Sequence, residues 1–332
     1  MTRYLFKYIT LIALTFFIAF LTKGRLLASP QQEISGIINA YARINTIEAA
    51  DAVLVDDVTG FSDGDTVLVM QMKGVSIITD QSSVFGNWDG YLGQPGDYGV
   101  GFYEFIIIDH VETGPNRIVF MNNLAGYDGY DVEGFIQIIR VPSFESATVT
   151  ADLECPAWDS ITGTGGVLAM IVNKKLELNS DIDVTGKGFR GGTVADMDGT
   201  PQLNPDYFYP GSSTIAGRKG ESLASHRNAT NEPLIIEDYI KGIGRLYSGG
   251  GGATGEYSGG GGGAGFGDGG NGFRQRTESY NASGRGGRID AADFSNRVIM
   301  GSGGGGSGFS GTGMGTGGAA GGGIVFILTD SL

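Results

Sequence analysis

GSGGGGSGFSGTGMGTGGAAGGGIVFILTDSL, residues 301–332, is a glycine tract that runs into an apolar strand. Three readings compete for it: a free tail, a phosphate-binding loop, or one piece of a repeating fold. A phosphate loop needs a helix or a Lys-Ser/Thr pair behind its glycines, because the anion rests on the N–H groups of the helix's first turn. Neither follows here. A free tail has no use for Ile324-Val325-Phe326-Ile327-Leu328, which is rich in β-branched and aromatic residues. An echo decides the matter. Gly165–Val172 reads GGVLAMIV and Gly321–Leu328 reads GGGIVFIL, each followed by a polar stretch. A strand unit that cannot bury its face alone is expected to stack, as in a β-helix or a layered sheet. The next strand of such a unit would belong beyond Leu332, so the chain is expected to be truncated. The open edge of Ile324–Leu328 is then an aggregation risk.

Glycine supplies 60 of 332 residues, against an ordinary share of roughly 7%. There is no Gly-X-Y period, which excludes collagen. An apolar content of 41% excludes a wholly disordered chain. The densest tracts are Ser248–Gly272 and Gly301–Gly323, and Tyr257, Phe266, Phe273 and Phe309 punctuate them. Aromatics among glycines suit packed extended segments in polyproline-II or tight-loop layers, where missing side chains let backbones approach. A flexible linker is the alternative.

The first half reads as ordinary β structure. Thr66–Met72, Tyr103–His110, Arg117–Met121, Phe135–Val141 and Ala147–Ala151 are apolar runs bounded by turn clusters such as SDGD and TGPN. They predict an all-β chain: a small antiparallel barrel or sandwich over residues 33–145, then a glycine-rich β-helix-like or layered region over 146–332. In that region the pattern predicts strands at Val167–Val172, Leu176–Leu178 and Ile182–Val184, with a turn at Asn173-Lys174. Residues 34–42 and 233–243 are ambiguous between helix and strand.

Residues 1–28 read as a secretory signal: Arg3 and Lys7, then the apolar run Tyr8–Leu21, then a cleavage site after Ala28. Lys23 and Arg25 before that site leave an uncleaved anchor as the alternative, and this segment is the one expected route to a membrane. Formal net charge is −14, which disfavours nucleic acid and anionic lipid. Cys155 is the only cysteine; it has no internal disulfide partner, and its apolar flanks predict a small buried hydrophobe. The implied location is outside the cytoplasm: secreted, on the outer surface, or in the periplasm, since an exported chain without disulfides fits a bacterial product.

Motifs for chemistry are sparse. Gly186-Lys-Gly-Phe-Arg-Gly191 matches a dinucleotide fingerprint literally, yet prolines at 201 and 205 follow instead of a helix. His110 and His226 are the only histidines, with no nucleophile elbow to serve. The expectation is a non-catalytic protein without a cofactor. Calcium is the one metal considered, at Asp196 and Asp198 and at Asp128 and Asp131, although these acids lack the full oxygen set that calcium needs. Solvated turn acids are the alternative. Trp88, Tyr91 and Tyr98 lie in the long insertion 74–101, and Tyr207 and Tyr209 in a later loop. These aromatics are the candidate contacts to glycans or other surface proteins; packing of the loops onto the fold is the competing role.

FSDGDTVLVMQMKG, PAWDSITGTGGVLAMIV, LELNSDIDVTGKGFRGG and NRVIMGSGGGGSGFSGTG together resemble the N-terminal part of large glycine-rich exported proteins of Bacteroidota. That resemblance implies a surface or adhesin-like role, further repeats and a type IX secretion sorting domain. Asp159-Ser160-Ile161 and Asp65-Thr66-Val67 resemble the short O-glycosylation signal of that phylum. A thinner resemblance, resting on composition and the GGGIVFI strand, is to the glycine-rich ligand-binding region of animal receptor kinases. The functional alternatives to an adhesin are a carbohydrate-binding module or accessory domain, a polysaccharide-active enzyme, and a glycine-rich ligand-binding domain.

Overall fold

The computed structural model describes residues 31–90, 99–195, 206–224, 236–255, 257–273, 282–289, 297–308 and 315–332. No α-helix occurs among them; two 3-10 turns, Val132–Gly134 and Ile236–Asp238, are the only helical pieces. The ambiguous stretch at 34–42 is β structure: it spans the end of β1 (Gln32–Ile37) and the start of β2 (Tyr41–Ala49).

Six antiparallel strands close a barrel: β2, β3 (Ala52–Val55), β4 (Thr66–Gln71), β5 (Tyr103–Thr113), β6 (Asn116–Phe120) and β7 (Ile136–Arg140). Around the barrel the order is β2-β3-β6-β5-β4-β7, with Tyr41 opposite Ile139 completing the circle. Alternation sends Val67, Val69, Ile106, Ile108, Ile136 and Ile138 into the interior, where they meet Ile44, Val53, Ile118 and Phe120. The opposite faces of β4 and β7 are buried too. Leu68, Met70 and Ile139 pack outward against Trp158, Val167, Phe189 and Ile324. This double burial explains why TVLVMQM reads as a continuous apolar run rather than an alternation.

A parallel sheet lies against that side. Its order is β1-β9-β10-β11, with β9 at Ala147–Glu154, β10 at Val167–Leu178 and β11 at Ile324–Ser331; the short β8 (Ser143–Phe144) also pairs with β10. The first strand of the described chain therefore leaves the barrel, and Gln32 pairs in parallel with Ala147. The two echoing segments become sheet neighbours: Val167 opposes Ile324 and Val172 opposes Thr329. Sequence repetition is thus realised as parallel stacking. Val167 and Ala169 face the barrel, while Leu168, Met170 and Val172 fill the other side with Ile34, Val149, Leu153 and Cys155. Burial pushes the Cys155 thiol up to about 11, as suits an inert hydrophobe.

One expected turn is absent. Asn173-Lys174 is exposed strand inside the twelve-residue β10, where the register with β11 slips between Val172 and Lys175. The irregularity is taken up by a bulge, so the polar residues do not reverse the chain. The short strand expected at Ile182–Val184 reduces to one bridge, Leu153 to Ile182.

The described residues of the glycine tracts form neither helix nor strand, yet their backbone is extensively hydrogen-bonded. Residues 301–308 show the rule. The N–H groups of 301, 304 and 307 donate to 322, 319 and 316; those of 302, 305 and 308 donate to 264, 261 and 258; those of 303 and 306 donate to 221 and 218. Each third residue addresses the same neighbour, which is the signature of the three-residue polyproline-II turn. Carbonyls of 301, 304 and 307 accept from 189, 192 and 195, and those of 303 and 306 from 250 and 253. The result is a bundle of extended segments bonded sideways through the backbone. Within it no described glycine from 249 to 323 has a φ between +20° and +160°. Glycine is required there by proximity: a Cβ on Gly303 would stand 1.9 Å from the Arg190 carbonyl oxygen, and one on Gly252 1.9 Å from that of Gly217.

Candidate ligand-binding cleft

Where barrel and bundle meet, a cleft of about 780 Å³ opens. The extended segment Ala216-Gly-Arg-Lys-Gly-Glu-Ser222 positions much of it. Gly217 and Gly220 donate their N–H groups to Ala253 and Gly250, at 2.7 and 2.8 Å, and lie flush against that neighbour. Arg218 and Glu221, three residues apart, bond to Thr193 and Arg190 on the opposite side, both at 2.9 Å. The three-residue turn thus puts Arg218 and Glu221 on one face, about 9 Å apart along the segment. Both line the cleft, together with Lys73, Phe135, Ser160, Arg190 and Glu237.

Glu221 is the hub. Its Oε1 takes the Lys73 ammonium at 2.6 Å and the Trp158 indole N–H at 2.9 Å. Its Oε2 takes Arg190 Nε at 3.1 Å. Burial pushes this carboxyl up, but Lys73, Trp158 and Arg190 together outweigh burial and bring its pKa to about 2. Lys73 lies two residues beyond the end of β4, and Glu221 lies in the bundle, so the pair fastens one part to the other. Phe135, Trp158 and Phe189 pack edge to face around the ammonium, with the Phe189 ring centre 5.1 Å from it. Arg190 also reaches the Ser160 hydroxyl.

Arg218 spends only Nη2, on Glu237 Oε1 at 3.0 Å. Among the described residues its Nε and Nη1 have no protein acceptor. Lys219 points to another face, over the Phe85 ring at 4.3 Å, and donates to the Tyr207 carbonyl. Burial without a carboxylate partner holds its amine well below the usual lysine range. Setting aside Lys219, whose amine is turned to the Phe85 face, the lining carries three cations, Lys73, Arg190 and Arg218, against two carboxylates, Glu221 and Glu237. On a chain of net charge −14 this is a local reversal of sign, and it favours an anionic group.

The residues singled out in the sequence lie elsewhere. Trp88 is half-buried, bridges to Ile77 and packs against the main core. Tyr207 lies under the Arg285 guanidinium at 4.6 Å, and its hydroxyl accepts from Arg285 at 2.9 Å. Tyr209 accepts from the Asp206 N–H at 3.1 Å. Trp88 and Tyr207 thus hold loops to the fold, and the Tyr209 hydroxyl bonds within its own loop. Asp131 caps the 3-10 turn by accepting from the Glu133 N–H, and Asp128 is exposed. No group of three or more His, Cys, Asp or Glu side chains suited to a metal occurs among the described residues. Tyr91, Tyr98, Asp196, Asp198, His226 and the N-terminal segment 1–28 lie outside the described residues. Among the described residues no helix follows Gly186–Gly191; Phe189 and Gly192 instead donate to Gly301 and Gly304 in the bundle. His110 is half-buried on β5 between Asp109 at 2.8 Å and Glu112 at 3.2 Å, which raise its pKa. Sequence reasoning missed Lys73, Arg190, Arg218 and Glu221. The available signal was the set of charged residues interrupting glycine at a three-residue interval in GRKGES.

No protein-family model matches the chain, and no curated protein matches it. Two solved structures are similar over part of it. One is the tailspike protein gp49 of Pseudomonas phage LKA1: 10% identity, TM-score 0.19, 46% of this chain and 25% of that one. The other is the Gp54 tailspike of Acinetobacter baumannii bacteriophage AP22, in complex with A. baumannii capsular saccharide: 10% identity, TM-score 0.19, 45% of this chain and 29% of that one. The match therefore spans less than a third of either tailspike.

Proposed function

We propose that this chain is an exported, non-catalytic surface protein that holds a carboxylate-bearing glycan in the cleft between barrel and bundle. The observation that carries this reading is the cleft wall. Arg218 has guanidinium donors to spare, Arg190 and Glu221 stand one turn further along, and Ser160 and Thr193 add hydroxyls. A guanidinium fork binds a carboxylate bidentately, and carboxylate and hydroxyl acceptors suit sugar hydroxyls. The scaffold supports the same reading. A bundle tied through its backbone holds these side chains on a rigid base, which lowers the ordering cost of binding.

A glycan array probed with the full chain tests it. Binding is expected to concentrate on acidic saccharides. Arg218→Ala should weaken it about tenfold or more, the worth of one charge-assisted hydrogen bond. Trp88→Ala should leave it unchanged. Equal binding of neutral glycans, or indifference to Arg218→Ala, would count against the cleft.

A further inference from the structure

A second groove, of about 480 Å³, runs along the bundle and is lined almost wholly by backbone: residues 259–263, 302, 304, 305, 307 and 316–320. The hydrogen bonds show what kind of space it is. Segment 301–308 is bonded to five neighbours: 316–323, 188–195, 217–222, 249–254 and 258–264. In that order each is also bonded to the next, so they form an arc around it. The two ends of the arc, 316–323 and 258–264, exchange no hydrogen bond, and the groove lies between them.

The polar groups facing this position keep the period of the bundle. Among the described residues, the carbonyls of 302, 305 and 308 are the one phase of the central segment without an N–H donor. On one wall the N–H groups of Gly260 and Gly263 have no acceptor, and on the other those of Gly317 and Ala320 have none, among the described residues. Acceptors on the floor and donors on both walls therefore repeat every three residues, about 9 Å apart. The floor is also clear: a Cβ on Gly304 would meet nothing nearer than 3.4 Å, whereas one on Gly303 or Gly305 would clash.

We infer that this groove is a docking site for an extended, glycine-rich peptide segment of another polypeptide. Such a segment occupies the sixth position around residues 301–308. Its N–H groups donate to the 302, 305 and 308 carbonyls, and its own carbonyls accept from Gly260, Gly263, Gly317 and Ala320. A polypeptide in the polyproline-II conformation supplies both sets at the required repeat. Glycine is needed on the faces that meet the floor and walls, because segments in this bundle approach too closely for a Cβ.

Residue-resolved amide hydrogen exchange on the full chain tests this, with acetyl-(Gly-Gly-Ser)5-amide as probe and the alanine analogue acetyl-(Ala-Ala-Ser)5-amide as control. The glycine peptide should slow exchange at Gly260, Gly263 and Gly317 about tenfold or more, as expected when free amides gain acceptors. The alanine peptide should not. Gly304→Val, whose side chain would fill the floor, should abolish the protection while amides in the barrel exchange as in the parent. Ala320→Trp, at an exposed wall position, should do the same by a separate route. The proposal is overturned by absence of protection at saturating peptide, by equal protection from the alanine peptide, or by protection from maltohexaose instead. It is overturned also if these amides become protected with rising protein concentration alone, which would make the occupant a second copy.

Discussion

The barrel and the bundle meet the same requirement by opposite means. In the barrel, Ile106, Ile108, Ile136 and Ile138 supply apolar volume and the strands supply the hydrogen bonds. In the bundle, the backbone supplies both the contact surface and the bonds, and side chains are removed so that it can. A barrel residue is fixed by what its side chain fills, a bundle residue by what a side chain would strike. Glycine density accordingly follows crowding. Segment 301–308, with five bonded neighbours, carries side chains only at Ser302 and Ser307, whereas the flanking 217–222 carries Arg218, Lys219 and Glu221.

The largest effect is expected from one methyl group, added at one of two adjacent positions. Gly303→Ala would place Cβ 1.9 Å from the Arg190 carbonyl oxygen, with no flexible side chain to yield. A loss of about 4 kcal/mol or more in urea unfolding is expected, in the range reserved for severe overpacking. Gly304→Ala meets nothing nearer than 3.4 Å. It should be neutral or stabilising by up to about 1 kcal/mol, because alanine restricts the unfolded chain. Similar effects at the two sites would mean that glycine is there for flexibility.

Glu221 tests the joint between the parts. Its carboxyl has a pKa of about 2 in the fold, against an ordinary value of about 4.3 in the unfolded chain. A depressed carboxylate pKa gives stability that is complete above the unfolded value and lost as pH falls through the folded one. The contribution is about 3 kcal/mol, disappearing between about pH 4.5 and 2. Glu221→Gln should remove that part of the acid dependence, seen as a shallower fall in melting temperature over this interval. It should also be less stable at neutral pH, because Lys73 is left buried without its partner. In the barrel, Ile138→Val should cost only about 1 kcal/mol, since a single methylene leaves a small void. An added methyl in the bundle thus outweighs a removed one in the barrel.

How much of this was legible in the sequence follows from the same distinction. The barrel strands announce themselves because Val, Ile and Phe recur at short range; the apolar run Thr66–Met72 differs from β4 by one residue. The echo of Gly165–Val172 in Gly321–Leu328 was legible for the same reason, and the structure turns it into adjacent parallel strands. The exposed residues Asn173 and Lys174 misled, because a polar pair inside a strand looks like a turn until a bulge is seen to carry it. The partner of each glycine segment was not legible, since a glycine tract records the need for close approach without recording what approaches. The cleft was hidden by distance along the chain: Lys73 meets Glu221 across 148 positions. Nothing local to either residue encodes that meeting.

An effect of the opposite sign is expected at Lys219, which belongs to the bundle by backbone and to the aromatic cluster of Phe85, Phe208 and Tyr239 by side chain. Its amine is buried with one carbonyl for a partner, and burial lowers its pKa well below 10.5. A depressed amine pKa has the opposite consequence to a depressed carboxyl. Below the unfolded value the unfolded chain binds the proton more readily, so folding carries a penalty that is relieved as pH rises toward 10.5. Lys219→Met keeps the length of the stem and discards the charge. The variant should be the more stable protein at pH 7, and its advantage should shrink as unfolding is measured at successively higher pH up to about 10. An advantage that does not change with pH would locate the gain in packing. A loss of stability would mean that the single bond to the Tyr207 carbonyl outweighs the cost of burying the amine.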